Sequence, residues 1–118
     1  MSINKQTVSL YMEGFNAGDH AKILSCLTDD VVWDMPGAYH HEGKEAFDKE
    51  IENDAFTGLP TITISRLTEE AEVVIAEGAV TCQLKNGPLL NLVFCDVFEM
   101  REGKIKKLTS FVLDTKKG

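Results

Sequence analysis

The chain of 118 residues lacks the features that mark several large classes of protein. Its three cysteines form no CxxC pair, so a zinc or dithiol site is not expected, and we expect buried, reduced thiols. No run of lysine or arginine exceeds two residues and the net charge is -7, which argues against nucleic acid and anionic membranes as partners. Nothing resembles a signal peptide, and no apolar run is long enough to span a bilayer. We therefore expect a cytoplasmic protein.

Motifs for common cofactors and nucleophiles are also missing. There is no glycine-rich phosphate loop and no serine in a GxSxG setting, so we expect no cofactor and no serine nucleophile. The adjacent His40 and His41 precede Glu42, a grouping that invites a metal site. Adjacent side chains on an extended loop point in different directions, which disfavours shared coordination. We interpret the segment as a solvated loop, with His40 a candidate at the mouth of a pocket, and expect no metal.

The first part of the chain has helical periodicity. Apolar residues recur at spacings of three and four in Val8, Tyr11, Met12 and Phe15. The segment Asn16-Ala17-Gly18-Asp19 then predicts the end of this helix and the cap of a second one. The second helix has Leu27 on its apolar stripe and is predicted to end at Thr28-Asp29-Asp30.

The next segment predicts a strand, a loop and a helix. Val31-Val32-Trp33 begins a short strand, which Pro36-Gly37 interrupts. The loop containing both histidines follows, and a third helix then places Phe47 and Ile51 on its apolar side.

The second half predicts an antiparallel meander of four strands. Its β-branched segments are Thr61 to Thr68, Glu72 to Leu84, Leu89 to Met100 and Lys104 to Leu113. Helices followed by a meander indicate an α+β fold, in which three N-terminal helices pack against a cone-shaped, curved antiparallel sheet. The length suits one domain over residues 1–118. Apolar residues on both faces of the strands favour a homodimer formed sheet to sheet.

An acidic residue lies on the apolar face of the third meander strand. With a period of two, one face contains Leu90, Leu92, Phe94, Asp96, Phe98 and Met100. Burying an unpaired carboxylate is costly, so Asp96 is expected to be hydrogen-bonded, paired or protonated through a raised pKa. Such carboxyls are common in functional sites, and the alternative is a structural acid satisfied by a neighbouring hydroxyl or backbone N–H.

Three segments have a distinctive order and spacing. They are Tyr11 with Phe15-Asn16-Ala17-Gly18-Asp19, Leu27 to Gly37 with Gly43, and Cys95 to Met100 with Gly103-Lys104-Ile105. Together they resemble the nuclear transport factor two-like superfamily, especially its SnoaL-like polyketide cyclase and ketosteroid isomerase branches, over nearly the whole chain. The resemblance implies the α+β barrel of that superfamily. It says less about activity, because this scaffold serves isomerases, cyclases, hydrolases and non-catalytic binding modules.

The resemblance also suggests roles for individual residues. Tyr11 resembles the isomerase tyrosine that donates to the developing oxyanion, and Asp96 resembles its partner, an aspartic acid kept protonated by apolar surroundings. The match departs from the isomerases at Met35, which stands where they have a proton-shuttling aspartate. Asp34 falls one residue early and should face away, unless the backbone before Pro36 turns it inwards. Ketosteroid isomerase activity is therefore not expected.

Two functions of different class remain open. The first is a cofactor-independent isomerase, cyclase or hydrolase that transfers protons through Asp96, with Tyr11 as donor and Asp34 as a further candidate. Its substrate would be a small apolar carbonyl compound held by Trp33, Met35, Phe47, Phe94, Phe98 and His40. The second is a non-catalytic ligand-binding or dimerisation module of the same fold, in which Asp96 is structural.

Overall fold

The structure, a computed structural model, describes residues 2–52 and 55–115. Its elements in chain order are α1 (Ile3–Ala17), α2 (His20–Ser25), β1 (Leu27–Met35), β2 (Tyr39–Glu42), α3 (Lys44–Ile51), β3 (Phe56–Glu70), β4 (Val73–Leu84), β5 (Leu89–Arg101) and β6 (Lys104–Asp114). The strands form one six-stranded sheet in the order β2-β1-β6-β5-β4-β3. Neighbouring strands are antiparallel except for β1 and β6, which are parallel. The predicted α+β fold with helices against a curved sheet is confirmed.

The junction between the first two helices follows the sequence signals. Ser2 caps α1 by accepting a hydrogen bond from the backbone N–H of Lys5. Gly18 ends α1 in the left-handed conformation, with a φ of 66°, where a side chain would be strained. The Asp19 carboxylate then accepts from the Lys22 N–H at 3.0 Å and starts α2. The two helices are thereby joined through a junction of two residues, Gly18 and Asp19.

The predicted end of the second helix is wrong. Helix α2 ends at Ser25, and Leu27, assigned to its apolar stripe, is the first residue of β1. Thr28-Asp29-Asp30 lie within that strand rather than at a helix end. The cause is tertiary pairing: Leu27 pairs with Ile105 of β6, whose backbone N–H donates to the Cys26 carbonyl at 2.8 Å. Strand pairing between distant segments overrides the local helical pattern here.

The predicted histidine loop is also wrong. His40 and His41 lie in β2, which forms a hairpin with β1 and pairs Trp33 with His41 and Asp34 with His40. The edge strand is only four residues long, which is why its period-two pattern is hard to recognise in the sequence. The third helix, with buried Phe47, forms as predicted.

The core lies between the helices and the concave face of the sheet. It contains Val8, Tyr11, Met12, Ile23, Cys26, Leu27, Val31, Trp33, Phe47, Val74, Ala76, Phe94, Phe98, Met100, Ile105 and Leu108. Of the three cysteines only Cys26 is buried, whereas Cys82 and Cys95 are half-buried on the sheet, and all three are free thiols. Within residues 2–52 and 55–115, no helix has both the length and the apolar character needed to cross a bilayer.

Candidate active site

A small cavity opens between α1 and the concave face of the sheet. Its volume is about 120 Å³. The wall is formed by Tyr11, Met12, Phe15, Trp33, Met35, Ile62, Val80, Phe94, Asp96, Ser110 and Val112. Nine of these side chains are aromatic or aliphatic, and Asp96 is the single carboxyl in the wall. The cavity can therefore hold an apolar ligand and presents it with one acidic group.

Asp96 combines a buried oxygen with a perturbed ionisation. The residue as a whole is half-buried, but its Oδ1 atom is buried and has no hydrogen-bond partner among the described residues. Burial raises the pKa of Asp96 from 3.8 to about 7, and the neighbouring Ser110 hydroxyl acts in the opposite direction. The carboxyl can therefore both accept and return a proton near neutral pH.

Tyr11 approaches the same cavity from α1. It is 3% exposed, and its ring packs edge-on against Phe98, with centroids 5.4 Å apart. Burial is the main cause that raises the pKa of Tyr11 well above 10, and the charge of Asp96 is the second. Tyr11 therefore keeps its proton at neutral pH and can donate a hydrogen bond.

Ser110 and Trp33 form the polar corner of the cavity. Ser110 lies opposite Asp96 in the pairing of β5 with β6 and is 4% exposed. The indole N–H of Trp33 donates to the Ser110 hydroxyl oxygen at 3.1 Å. The Trp33 ring is in turn stacked on Phe47, with centroids 4.4 Å apart. The strand register therefore places Ser110 next to Asp96, and the Ser110 hydroxyl is anchored by Trp33.

Strand β1 determines which of its neighbouring residues Asp34 and Met35 faces the cavity. Trp33 and Met35 face the cavity, and Asp34 lies on the other face of the sheet. There its Oδ1 is 3.7 Å from Nδ1 of His40, whose side chain is 53% exposed. The structure therefore does not bring Asp34 or His40 to the cavity, because successive side chains of a strand alternate between faces.

Two of the predicted substrate contacts lie deeper than expected. Phe47 and Phe98 are 1% and 0% exposed and belong to the core behind the cavity wall, whereas Phe94 forms part of the wall. Phe98 follows Phe94 on the same face of β5, so periodicity could not distinguish them. In the structure Tyr11 packs edge-on against Phe98, and it is Tyr11 rather than Phe98 that forms part of the wall.

Sequence comparison assigns the chain to a family. A family model described as a SnoaL-like domain matches residues 8–108, most of the chain. The chain belongs to the SnoaL-like domain family. No curated protein sequence matches the chain significantly.

Solved structures confirm the fold of this SnoaL-like domain. An NTF2-like protein of unknown function from Burkholderia pseudomallei superposes with a TM-score of 0.84 at 22% identity, covering 94% of this chain and 91% of that one. An LEH-like epoxide hydrolase from M. tuberculosis superposes with a TM-score of 0.83 at 16% identity, and the match covers 94% of this chain and 83% of that one. A protein with a ketosteroid isomerase-like fold from Catenulispora acidiphila, in complex with trimethylamine, superposes with a TM-score of 0.81 at 13% identity. The match covers 89% of this chain and 83% of that one. At these identities the likeness concerns the fold alone.

The structure adds wall residues that sequence reasoning missed in this SnoaL-like domain. They are Met12, Phe15, Ile62, Val80, Ser110 and Val112. The most informative of them is Ser110, since it lies opposite Asp96 in the β5–β6 pairing and accepts a hydrogen bond from Trp33. Pairing β5 with β6 outwards from the turn at Gly103 predicts that residue 109 or its neighbour lies opposite Asp96, so the sequence could locate Ser110 only with an error of one residue. Among the described residues, no three His, Cys, Asp or Glu side chains converge as a metal site would require.

Proposed function

We propose that this SnoaL-like domain is a cofactor-independent enzyme that moves a proton next to the carbonyl of a small apolar substrate. Asp96 is the acid–base group and Tyr11 donates a hydrogen bond to the oxygen that gains charge. The observation that supports this most is the buried, unpartnered Oδ1 of Asp96 in the wall of an otherwise apolar cavity. An isomerase, a cyclase and a hydrolase all need such a proton transfer.

The size of the cavity limits the part of the substrate that it encloses. An apolar cavity of about 150 Å³ in another protein holds benzene. A volume of about 120 Å³ therefore suits a single ring or a short branched chain. Cyclohexanone has this size, one carbonyl and exchangeable α-protons, which makes it a suitable probe of proton abstraction.

Deuterium exchange at the α-carbon of cyclohexanone in D₂O, followed by NMR, tests the proposal directly. The protein is expected to accelerate exchange over buffer at the same pH, and Asp96→Asn is expected to abolish the acceleration. Asp34→Asn is the matched control, because that carboxyl lies on the opposite face of the same sheet. Equal exchange by the parent and the Asp96→Asn variant would refute the proposal.

A non-catalytic ligand-binding module is the second candidate. It is favoured by Met35, which puts an apolar side chain in the cavity wall where the resemblance to isomerases implies a base. Trp33 also lies in the wall, so its fluorescence reports occupancy. Binding of cyclohexanone without any acceleration of exchange would support this alternative over the enzyme.

We further propose that the domain forms a homodimer through the convex face of the sheet. Val93, Phe111 and Leu113 share this face and are 41%, 50% and 70% exposed. Val93 pairs with Leu113 across β5 and β6, so the side chains form a continuous apolar patch. Patches of this kind are typical of protein interfaces.

A further inference from the structure

One strand position beside the cavity has no side chain. Gly78 of β4 pairs with Phe94 of β5, and Ala76 pairs with Asp96 in the same register. Paired residues of neighbouring antiparallel strands project on one face of the sheet, so a side chain at position 78 would lie beside Phe94. Phe94 and Asp96 are the two residues that β5 contributes to the cavity wall. The glycine therefore lies next to the part of the wall that contains the acid.

The space that a side chain would need at Gly78 is already occupied. A Cβ atom added there would lie 2.9 Å from Cζ of Phe94 and 2.1 Å from the carbonyl oxygen of Thr63. Non-bonded carbon atoms pack best about 3.5–4.0 Å apart, so neither contact could be accommodated without movement. Because Cζ is the outer end of the Phe94 ring, the ring extends from β5 over the backbone of β4. This position is open to the ring because residue 78 is glycine.

Strand β3 has an irregularity at the same place. Its pairing with β4 shifts in register directly after the pair of Ile64 with Gly78, which leaves Ser65 as an extra residue. Such a bulge bends a strand and increases its twist, and a glycine within a strand often marks a bulge or the close approach of another backbone. Here the Thr63 carbonyl makes that approach. Ile62, on the same strand, forms part of the cavity wall, so Gly78 lies where the sheet curves around the cavity.

Val112 of β6 confines the Phe94 ring from the other side. It pairs with Phe94 across β5 and β6 and also forms part of the wall. A Phe94 ring that could not extend over Gly78 would therefore have to turn into the cavity, whose volume is only about 120 Å³. Protein interiors are close-packed, so a ring that enters the cavity takes its space from a ligand.

We propose that Gly78 and Phe94 form a specificity-determining pair, in which the ring seated over the glycine sets the upper size of the ligand that reaches Asp96. The inference rests on the proposed function, since Asp96 is the group that acts on the ligand there. The expected ligand is a ketone with a single ring. A side chain at position 78 lowers the size limit because it moves the ring inwards, and a shorter side chain at position 94 raises the limit.

Relative affinities for three cyclic ketones measure the size limit in the full chain. Cyclobutanone, cyclohexanone and the two-ring 2-decalone are titrated while the indole ¹H–¹⁵N resonance of Trp33, the only tryptophan in the chain, reports binding. The parent is expected to bind cyclohexanone in preference to 2-decalone. Phe94→Leu is expected to improve the affinity for 2-decalone relative to cyclohexanone by about tenfold or more, the usual scale of size discrimination in an apolar pocket.

Substitution of the glycine is expected to act in the opposite direction. Gly78→Ala should weaken the binding of cyclohexanone relative to cyclobutanone by about tenfold, and adding Phe94→Leu to it should restore that ratio. Phe98→Leu is the matched control, because it removes the same atoms from a core position outside the wall. Ratios taken from one sample do not change when a protein is merely less stable, so they separate the size limit from a general structural role.

Four results would overturn the pair. They are a parent that binds 2-decalone as tightly as cyclohexanone, an unaltered ratio in Phe94→Leu, an equal shift in Phe98→Leu, and a folded Gly78→Ala protein whose ratio is that of the parent or is not restored by Phe94→Leu. If the Thr63 carbonyl prevents Gly78→Ala from folding, Phe94→Leu decides, because it leaves residue 78 unchanged. Every readout is binding, so unaccelerated proton exchange of cyclohexanone would refute only the proposed function.

Discussion

Tyr11 of α1 and Asp96 of β5 face one cavity, and the charge of Asp96 raises the pKa of Tyr11 beyond the larger effect of burial. The coupling keeps the phenol protonated whenever the carboxyl is ionised. A donor and a base are therefore present at the same time near neutral pH. Proton abstraction next to a carbonyl needs this combination, because charge develops on the oxygen as the proton leaves.

Removing the Tyr11 hydroxyl should slow proton exchange while the fold persists. Tyr11→Phe is expected to lower the rate of cyclohexanone deuteration by about 10²–10³-fold, the usual effect of losing one oxyanion donor. The matched control is Tyr39→Phe, since Tyr39 is packed against Trp33 of the cavity wall but lies outside that wall itself. Comparable losses in both variants would argue against a specific role for Tyr11.

Asp96 should make the stability of the fold depend on pH. Its pKa is raised from 3.8 to about 7, so between these values the folded protein holds a proton that the unfolded chain releases. The free energy of unfolding is therefore expected to fall as pH rises through this window, by on the order of 4 kcal/mol in total. In urea titrations Asp96→Asn should lose this component and become the more stable protein at pH 8. A parallel pH profile for both proteins would contradict the raised pKa.

An acid at position 35 should add a second proton carrier. Met35 faces the cavity and Asp34 does not, so Met35→Asp places a carboxylate where the resemblance to isomerases implies their base. We expect a gain of about 10²-fold or more in the conversion of 3-cyclohexenone to the conjugated 2-cyclohexenone, followed by absorbance. Met35→Asn is the control of similar size without a base. Equal rates in the two variants would show that the substitution acts only by changing polarity.

The apolar patch on the convex face should determine the oligomeric state. Phe111→Lys, at a side chain that is 50% exposed, is expected to shift the protein from dimer to monomer in sedimentation experiments. The control is Ile3→Lys on α1, which is 71% exposed and lies away from the sheet face. A monomeric parent protein, or a dimer unaffected by Phe111→Lys, would refute the proposed interface.

Much of the fold follows from short-range patterns. The caps at Ser2 and Asp19 and the reversal at Gly18 use only neighbouring residues, so the first helix and the start of the second could be predicted. The four meander strands could be predicted for the same reason, since period-two alternation and turn residues are local signals. Leu27 was misassigned because its conformation depends on pairing with Ile105, which is distant in sequence.

The local pattern likewise identified Asp96 as a carboxyl on an apolar face, and the alternation of β1 separated Met35 from Asp34. Only the tertiary structure decided which neighbours Asp96 has. The β5–β6 register shifts by one residue between Glu99 and Met100, so Asp96 pairs with Ser110. A hairpin continued from the pair of Met100 with Ile105 without that shift would have placed Thr109 opposite. The alternation of side chains is a property of each strand by itself, whereas register, curvature and the resulting cavity depend on how distant strands and helices pack together.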